Sequence, residues 1–392
     1  MRITRDHCGW GRALAVIVSL ALCGAFAAPA YGQTPAKKAG AAKAPAKAGE
    51  RPKFKAIWEP VNVPEDIELK SVHFVSAEEG WVAGGKTEMA GGVIYHTKDG
   101  GKTWELQIGE PQSSDRGFSG LRFVDATHGF AVQSSSGMSS SGTTHKLFST
   151  IDGQTWVPSG TVPEHRNDYF FTTPTTGFVA DWARQITRTN DGGKKWEPVY
   201  TCKIKAEIDG LTREADCYMH SIHFPNPSVG YAIGGPLPKN SGNVLAKTED
   251  GGDTWTAWVV LPGESATESS LRFLDAKTGV FRAQDGKMFR TADGGKTWTG
   301  VSGQAASRSD LSFADAEVGW MIHYRRMTYT ANGGKSWLSR EIAFPAMVED
   351  SSLPARDRGY AAGNHGMVYR YRIVPIDFTA KGILAAPSLG AK

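Results

Sequence analysis

The amino-acid sequence predicts an all-β fold of seven repeated units, and three observations predict it. An eight-residue stretch, TKDGGKTW at Thr97–Trp104, returns as TNDGGKKW, TEDGGDTW, TADGGKTW and TANGGKSW. A second motif precedes each copy, as in SVHFVSAEEGWVAGG at Ser71 and LRFVDATHGFAV at Leu121. Its glycines, Gly80, Gly129, Gly177, Gly230, Gly279, Gly319 and Gly359, recur every 40 to 53 residues. Between these landmarks apolar residues alternate over short runs broken by turn residues, with no helix-period segment. Four strands per unit, seven times over, is the pattern of a seven-bladed β-propeller with four-stranded antiparallel blades.

The N-terminal region carries Arg2, Arg5 and Arg12, an apolar run Ala13–Ala28 and then small residues in APAYGQ. That is the arrangement of a secretory signal over residues 1–32, with cleavage after Ala27, Ala30 or Gly32. The run is short for a membrane span, so export with cleavage is expected, and a retained anchor is the alternative. Residues 33–53 are an Ala, Pro and Lys mixture with nothing to bury, expected to be a flexible linker. Residues 1–32 contribute +2 and residues 33–55 contribute +6; subtracting both from the chain's formal +4 leaves the body near −4. A body that is not basic as a whole argues against a nucleic-acid partner.

The propeller is expected over residues 54–378. In the first unit KSVHF, WVAGG, GVIYHT and TWELQ supply the four strands. The seventh unit has three strands, ending in GMVYRY at Gly366–Tyr371, and no eight-residue motif follows. At the other end FKAIWEPVNV, Phe54–Val63, is an orphan strand resembling the fourth strands WEPVYT and WVPSGTV. Pairing the two makes the N-terminal strand complete the last blade and satisfies edges that an open array would expose. Residues 379–392 are then a flexible tail.

The repeated motif places Asp99, Asp152, Asp191, Asp250, Asp293 and Asn332 in turns, each followed by a tryptophan: Trp104, Trp156, Trp196, Trp255, Trp298 and Trp337. Paired glycines permit positive φ, the acid accepts bonds from the turn's own amides, and the bulky Trp is expected to wedge against the neighbouring sheet. The second copy, TIDGQTW, is one residue shorter, so its turn must differ. In the sixth copy Asn332 accepts the same bonds but is neither acid, base nor firm metal ligand, which favours a structural role for the position.

Removing the signal removes Cys8 and Cys23 and leaves Cys202 and Cys217. In an oxidising compartment a pair closing a loop of about sixteen residues reads as a disulfide worth roughly 3 kcal/mol. The rival is a zinc site in CYMHSIH, Cys217–His223. Against it, residues three apart on a regular strand face opposite ways, so His220 and His223 would not converge.

The S/T-x-D-x-G-x-T-W pattern resembles the Asp-box, or BNR, repeat. Its pairing with F-x-D-x-x-x-G-W-x-x-G across the whole body resembles, more narrowly, the photosystem II stability and assembly factor family of chloroplasts and cyanobacteria and its bacterial relatives. The resemblance implies a non-catalytic, exported scaffold that binds protein partners, and photosynthetic members hold a newly made membrane-protein subunit during assembly. It implies a periplasmic or extracellular location, lumenal in a photosynthetic host, and an arginine-rich patch. Arg122 and Arg272 stand just before the Phe of the first strand in their units, where His73 and His223 stand in two others. These four are the candidate partner-binding residues, set near the central channel; ordinary solvated lining is the alternative. The Asn332 box, the shortened second box and the insertion Thr201–Tyr218 depart from the pattern.

Catalytic readings find little support. A sialidase needs three arginines, an early F-R-I-P strand and a Tyr–Glu nucleophile, whereas the nearest match here is YRIVP, Tyr371–Pro375. Other glycosidases need two carboxyls about 5 to 10 Å apart, and the Asp-box acids lie on separate blades. GGKT and GGKS lack the earlier glycine of a phosphate loop: His96, Arg290 and Tyr329 occupy its position. The expectation is no enzyme, no nucleotide, no cofactor and no metal, in a monomer. The alternative function is a carbohydrate-active propeller, glycoside hydrolase or lectin.

Overall fold

The structure, a computed structural model, describes residues 54–86, 90–109, 115–135, 144–163, 169–180, 184–208, 211–236, 242–261, 270–283, 285–305 and 311–375. The expected signal, linker and tail, and residues 376–378 of the expected propeller, lie outside them. Among the described residues the regular elements are 29 strands, with no helix. They form seven antiparallel sheets, the blades of a propeller.

Blade one is Glu68–Phe74, Gly80–Lys86, Ala90–Thr97 and Glu105–Gly109, hydrogen-bonded in that order. The first strands of blades two to seven are Asp115–Phe123, Tyr169–Phe171, Leu211–His223, Ser270–Phe273, Ser312–Phe313 and Val348–Ala355. First strands of neighbouring blades pack on one another, which puts them innermost. Blade four departs from the four-strand rule. The insertion read at Thr201–Tyr218 folds as a fifth strand, Lys203–Ile208, paired with an extended first strand from Lys203↔Asp216 to Ile208↔Leu211.

Ring closure follows the expected pairing. Phe54–Pro60 lies antiparallel to Val368–Pro375, from Phe54↔Pro375 to Pro60↔Tyr369. Val61 and Val63 continue the contact by donating their amides to Val368 and Gly366. Trp58 reaches across to blade six, stacking on Trp320 at 5.6 Å and meeting Phe344 edge-on at 5.1 Å. Glu59 grips Arg370 and Arg372 together, with Arg372 Nε at 2.8 Å and Arg370 Nη2 at 3.1 Å. The seventh blade is thus sewn by backbone, aromatic and ionic contacts at once.

The Phe-to-Gly spacing of the second motif has a packing cause. A Cβ on Gly80 would stand 2.3 Å from the Phe74 ring, so the glycine lets the phenylalanine lie flat over the second strand. The next aromatic then stacks on the neighbouring blade: Tyr360 on Phe74 at 3.4 Å, Phe130 on Phe171 at 3.5 Å, Tyr231 on Phe273 at 3.4 Å and Trp81 on Phe123 at 3.8 Å. Such pairs add about 0.5–1.5 kcal/mol each beyond their buried area. The Asp-box tryptophans also wedge against the neighbouring sheet: Trp255 meets Phe178 of blade three at 6.3 Å, Trp156 Nε1 donates to Gln107 Oε1 of blade one at 2.8 Å, and Trp104 Nε1 donates to Val61 O at 2.7 Å. Each tryptophan meets the Phe of its own blade edge-on, as Trp104 meets Phe74 at 6.4 Å and Trp255 meets Phe224 at 5.9 Å.

Candidate functional site

Each Asp-box turn is built from its own side chains. Asp99 Oδ1 accepts from Thr97 Oγ1 and the Thr103 amide, both at 2.9 Å, and Oδ2 accepts from Thr103 Oγ1 at 2.7 Å. Thr97 Oγ1 in turn accepts from the amide of Gly101, which follows Gly100 in left-handed backbone, φ 71° and 83°. Asp191, Asp250 and Asp293 repeat the bond to the amide four residues on, at 3.0, 2.9 and 3.0 Å. The shorter box of Asp152 instead reaches the amides of Gln154 and Thr155 at 2.8 and 2.7 Å. Asn332 Oδ1 accepts from the Ser336 amide at 3.1 Å while its Nδ2 donates to Ser336 Oγ at 2.8 Å.

Burial raises the Asp99 and Asp293 carboxyls, but the threonine hydroxyls and turn amides outweigh it and hold both at about 2. The amides of Thr155 and Gln154 hold Asp152 far below its ordinary value. Acids this strongly solvated by their own turns stay ionised and are poor proton donors. The turn also ties to the blade's other turn at the same end, through Gly100 N–H to Glu78 O and Gly294 N–H to Lys277 O, both 2.8 Å.

The second candidate set lies on the first strands, at the position before the Phe. Around the ring that position holds His73, Arg122, Phe170, His223, Arg272, Ser312 and Ser352. Several of these bridge to the next blade. Ser352 Oγ accepts the Phe74 amide at 3.1 Å, Ser312 Oγ accepts the Leu353 amide at 2.9 Å, and His223 Nδ1 accepts the Phe273 amide at 3.3 Å. His73 lies over Phe123 at 5.7 Å and Phe170 meets His223 at 5.1 Å.

The channel brings the four named residues together electrostatically. Burial, and after it the charges of Arg122 and Arg272, lower His73 to about 3; the same burial, with Arg272 ahead of Arg122, pushes His223 well down. Both imidazoles are therefore neutral, and because His223 Nδ1 accepts, its proton sits on Nε2. Arg122 donates to the Leu121 carbonyl at 3.0 Å. The inner strands thus carry cations and neutral imidazoles together with the Asp350 carboxylate, whose Oδ2 accepts from Ser71 Oγ at 3.1 Å and the Val72 amide at 2.8 Å.

Cys202 and Cys217 are joined by a disulfide at the base of the added hairpin, both sulfurs fully buried. That removes the thiolate a zinc site would need. The strand-parity argument against convergence does not hold locally, because a bulge lies between Met219 and Ser221, at His220. The disulfide decides the matter. Among the described residues no group of three or more His, Cys, Asp or Glu side chains could hold a metal ion.

Sequence reasoning missed Ser312, Ser352 and Phe170 as members of the channel ring, though each precedes the motif's Phe or its Leu353 equivalent. It also passed over the second motif's own turn, where Asp125, Asn226, Asp275 and Asp315 each accept two consecutive amides.

Comparison with known proteins bears on this geometry. Residues 148–308 match the family described as photosynthesis system II assembly factor YCF48, and residues 95–106 match the BNR/Asp-box repeat. The family read from the repeats is the one that matches. The solved structure of YCF48 from Cyanidioschyzon merolae is similar, with TM-score 0.56 and 19% identity over 80% of this chain and 98% of that one. A structure of YCF48 bound to D1 peptide gives TM-score 0.53 and 18% identity, covering 80% of this chain and 94% of that one. The RRP9 WD40 repeats reach TM-score 0.54 at 8% identity, covering 82% and 100%, so the likeness to solved structures carries the fold and leaves the role to the site. No curated protein matches the chain.

Proposed function

We propose that this chain is an exported, non-catalytic propeller scaffold, related to the YCF48 assembly factors, that holds a peptide segment of a membrane-protein assembly intermediate. The observation that carries the reading is the division of labour among its polar groups. The repeated acids are each committed to a turn on a separate blade, while the shared central channel collects Arg122, Arg272 and two neutral histidines. Such a site binds and orients; it does not pair an acid with a base. A YCF48 relative has been solved with a peptide bound, and the same ligand class is proposed here. The buried disulfide agrees with a periplasmic, extracellular or lumenal location.

The carbohydrate-active alternative is less supported, because the six tryptophans of the Asp-boxes pack edge-on against phenylalanines of their own blades. The test is crosslinking of the tagged full chain in its host, followed by mass spectrometry of the membrane fraction, beside an assay on chromogenic glycosides. A crosslinked precursor of a membrane-protein subunit is expected. Glycoside turnover, or the lack of any specific protein adduct, would contradict the reading.

A further inference from the structure

Blade six ends away from its Asp-box in a two-residue hairpin, Tyr324–Arg325, closed by His323↔Arg326. Tyr324 adopts φ 53°, a left-handed conformation that bulky side chains avoid and glycine takes freely. Blades five and seven use Gly286 and Gly366 in the corresponding turns. Other non-glycine residues in left-handed backbone on these turns, Arg184 and His365, point their side chains at Asp216 and Asp66. Tyr324 has no such partner: it lies on the His323 ring at 4.0 Å and remains 49% exposed.

The tip is held in place from both sides. Tyr324 and Val348 exchange backbone bonds at 3.1 and 3.3 Å, the Ile342 amide donates to Arg325 O at 2.7 Å, and the Asn364 amide donates to Met347 O at 3.2 Å. This rigid frame presents Tyr324 beside Met347, also 49% exposed, with Arg325 and Arg326 exposed next to them. Tyr, Met and Arg are the residues enriched in protein interfaces, and a rigid tip loses little freedom on binding.

The charge is also unusual for its neighbourhood. In blade seven Arg356, Arg358, Arg370 and Arg372 all reach carboxylates. Arg325 and Arg326 make no ion pair among the described residues, although Glu341 faces Arg326 in register. Phe54 and Pro375 face each other at the opposite, Asp-box end of blade seven.

We propose that Tyr324, Arg325, Arg326 and Met347 form a docking surface for an acidic segment of the protein partner. The proposal rests on the scaffold reading above and names the face and the chemistry. Carboxylates of the segment pair with the two guanidiniums while an apolar side chain covers Tyr324 and Met347.

The test is fluorescence anisotropy with the full chain and a short labelled peptide of Glu, Leu and Ser, beside a second in which Lys replaces Glu. The acidic probe binds and the lysine probe does not. Tyr324→Gly suits the left-handed backbone and leaves folding intact, yet weakens acidic-probe binding about tenfold, and Arg325→Gln with Arg326→Gln weakens it similarly and flattens its salt dependence. Wild-type binding in both variants overturns this surface. If binding then falls with Arg122→Gln and Arg272→Gln, the channel is the seat and the scaffold reading stands. No preference for the acidic probe also overturns the surface, while a membrane-protein adduct in the crosslinking test keeps the scaffold reading separate from it.

Discussion

Trp58 stands directly opposite Tyr371 in the antiparallel pair that closes the ring, their rings 5.3 Å apart. Since Trp58 also stacks on Trp320, one side chain from the first described strand joins blade seven to blade six. Trp58→Ala is expected to cost on the order of 3 kcal/mol. Equilibrium urea unfolding reads the loss as a lower midpoint at unchanged slope.

The turn acids give a signed pH dependence. Asp99 and Asp293 fall from 3.8 to about 2 on folding, so the stability they contribute is full above 3.8 and drains as pH drops through about 2. Asp99→Asn should be tolerated, because Asn332 already makes the corresponding bonds to Ser336. Asp99→Ala should cost about 1–2 kcal/mol by orphaning the Thr103 amide. Acid unfolding monitored by tryptophan fluorescence separates the two: the Asn variant stays near wild type at neutral pH and loses less stability on acidification.

These turns were legible in the sequence because their chemistry is local: TKDGGKTW contains the donors that Asp99 accepts from, Thr97 Oγ1 and the Thr103 amide and hydroxyl. Blade number and ring closure were legible too, since a missing fourth strand at one end matched a spare one at the other. What stayed hidden depends on neighbours distant in sequence. Nothing around Ser352 says that its hydroxyl takes the Phe74 amide 278 residues away. Nor could periodicity show that Lys203–Ile208 would return as an added strand on Leu211–His223 rather than a loop. The wedge of the Asp-box tryptophans against the neighbouring sheet was legible from their place in the repeat, but the Phe of its own blade that each also meets edge-on was not.

The disulfide should matter most for the added hairpin. Opening Cys202–Cys217 by Cys202→Ala with Cys217→Ala is expected to cost roughly 3 kcal/mol. Proteolysis should then appear first within residues 203–216, as mass spectrometry of limited digests would show. A digest unchanged from wild type would mean that the hairpin is held by packing around Ile204 and Ala215 instead.

His73 drops from 6.5 to about 3, so it adds no charge to the channel at neutral pH. Stability linked to it is complete above 6.5 and is lost as pH falls toward about 3, because the unfolded chain takes the proton first. An NMR titration of the His73 imidazole should find no inflection between about pH 5 and 8. A midpoint near 6.5 would show the channel wetter than the packing on Phe123 indicates.

The claim on which the rest stands is that the strand Phe54–Pro60 closes the ring, and native-state hydrogen exchange tests it most directly. If it does, the amides pairing Lys55–Glu59 with Arg370–Val374 are protected together and exchange only as slowly as blade-one core amides such as Val82 and Ile94. Rapid exchange of the N-terminal strand while the core stays protected would mean that the ring stands open.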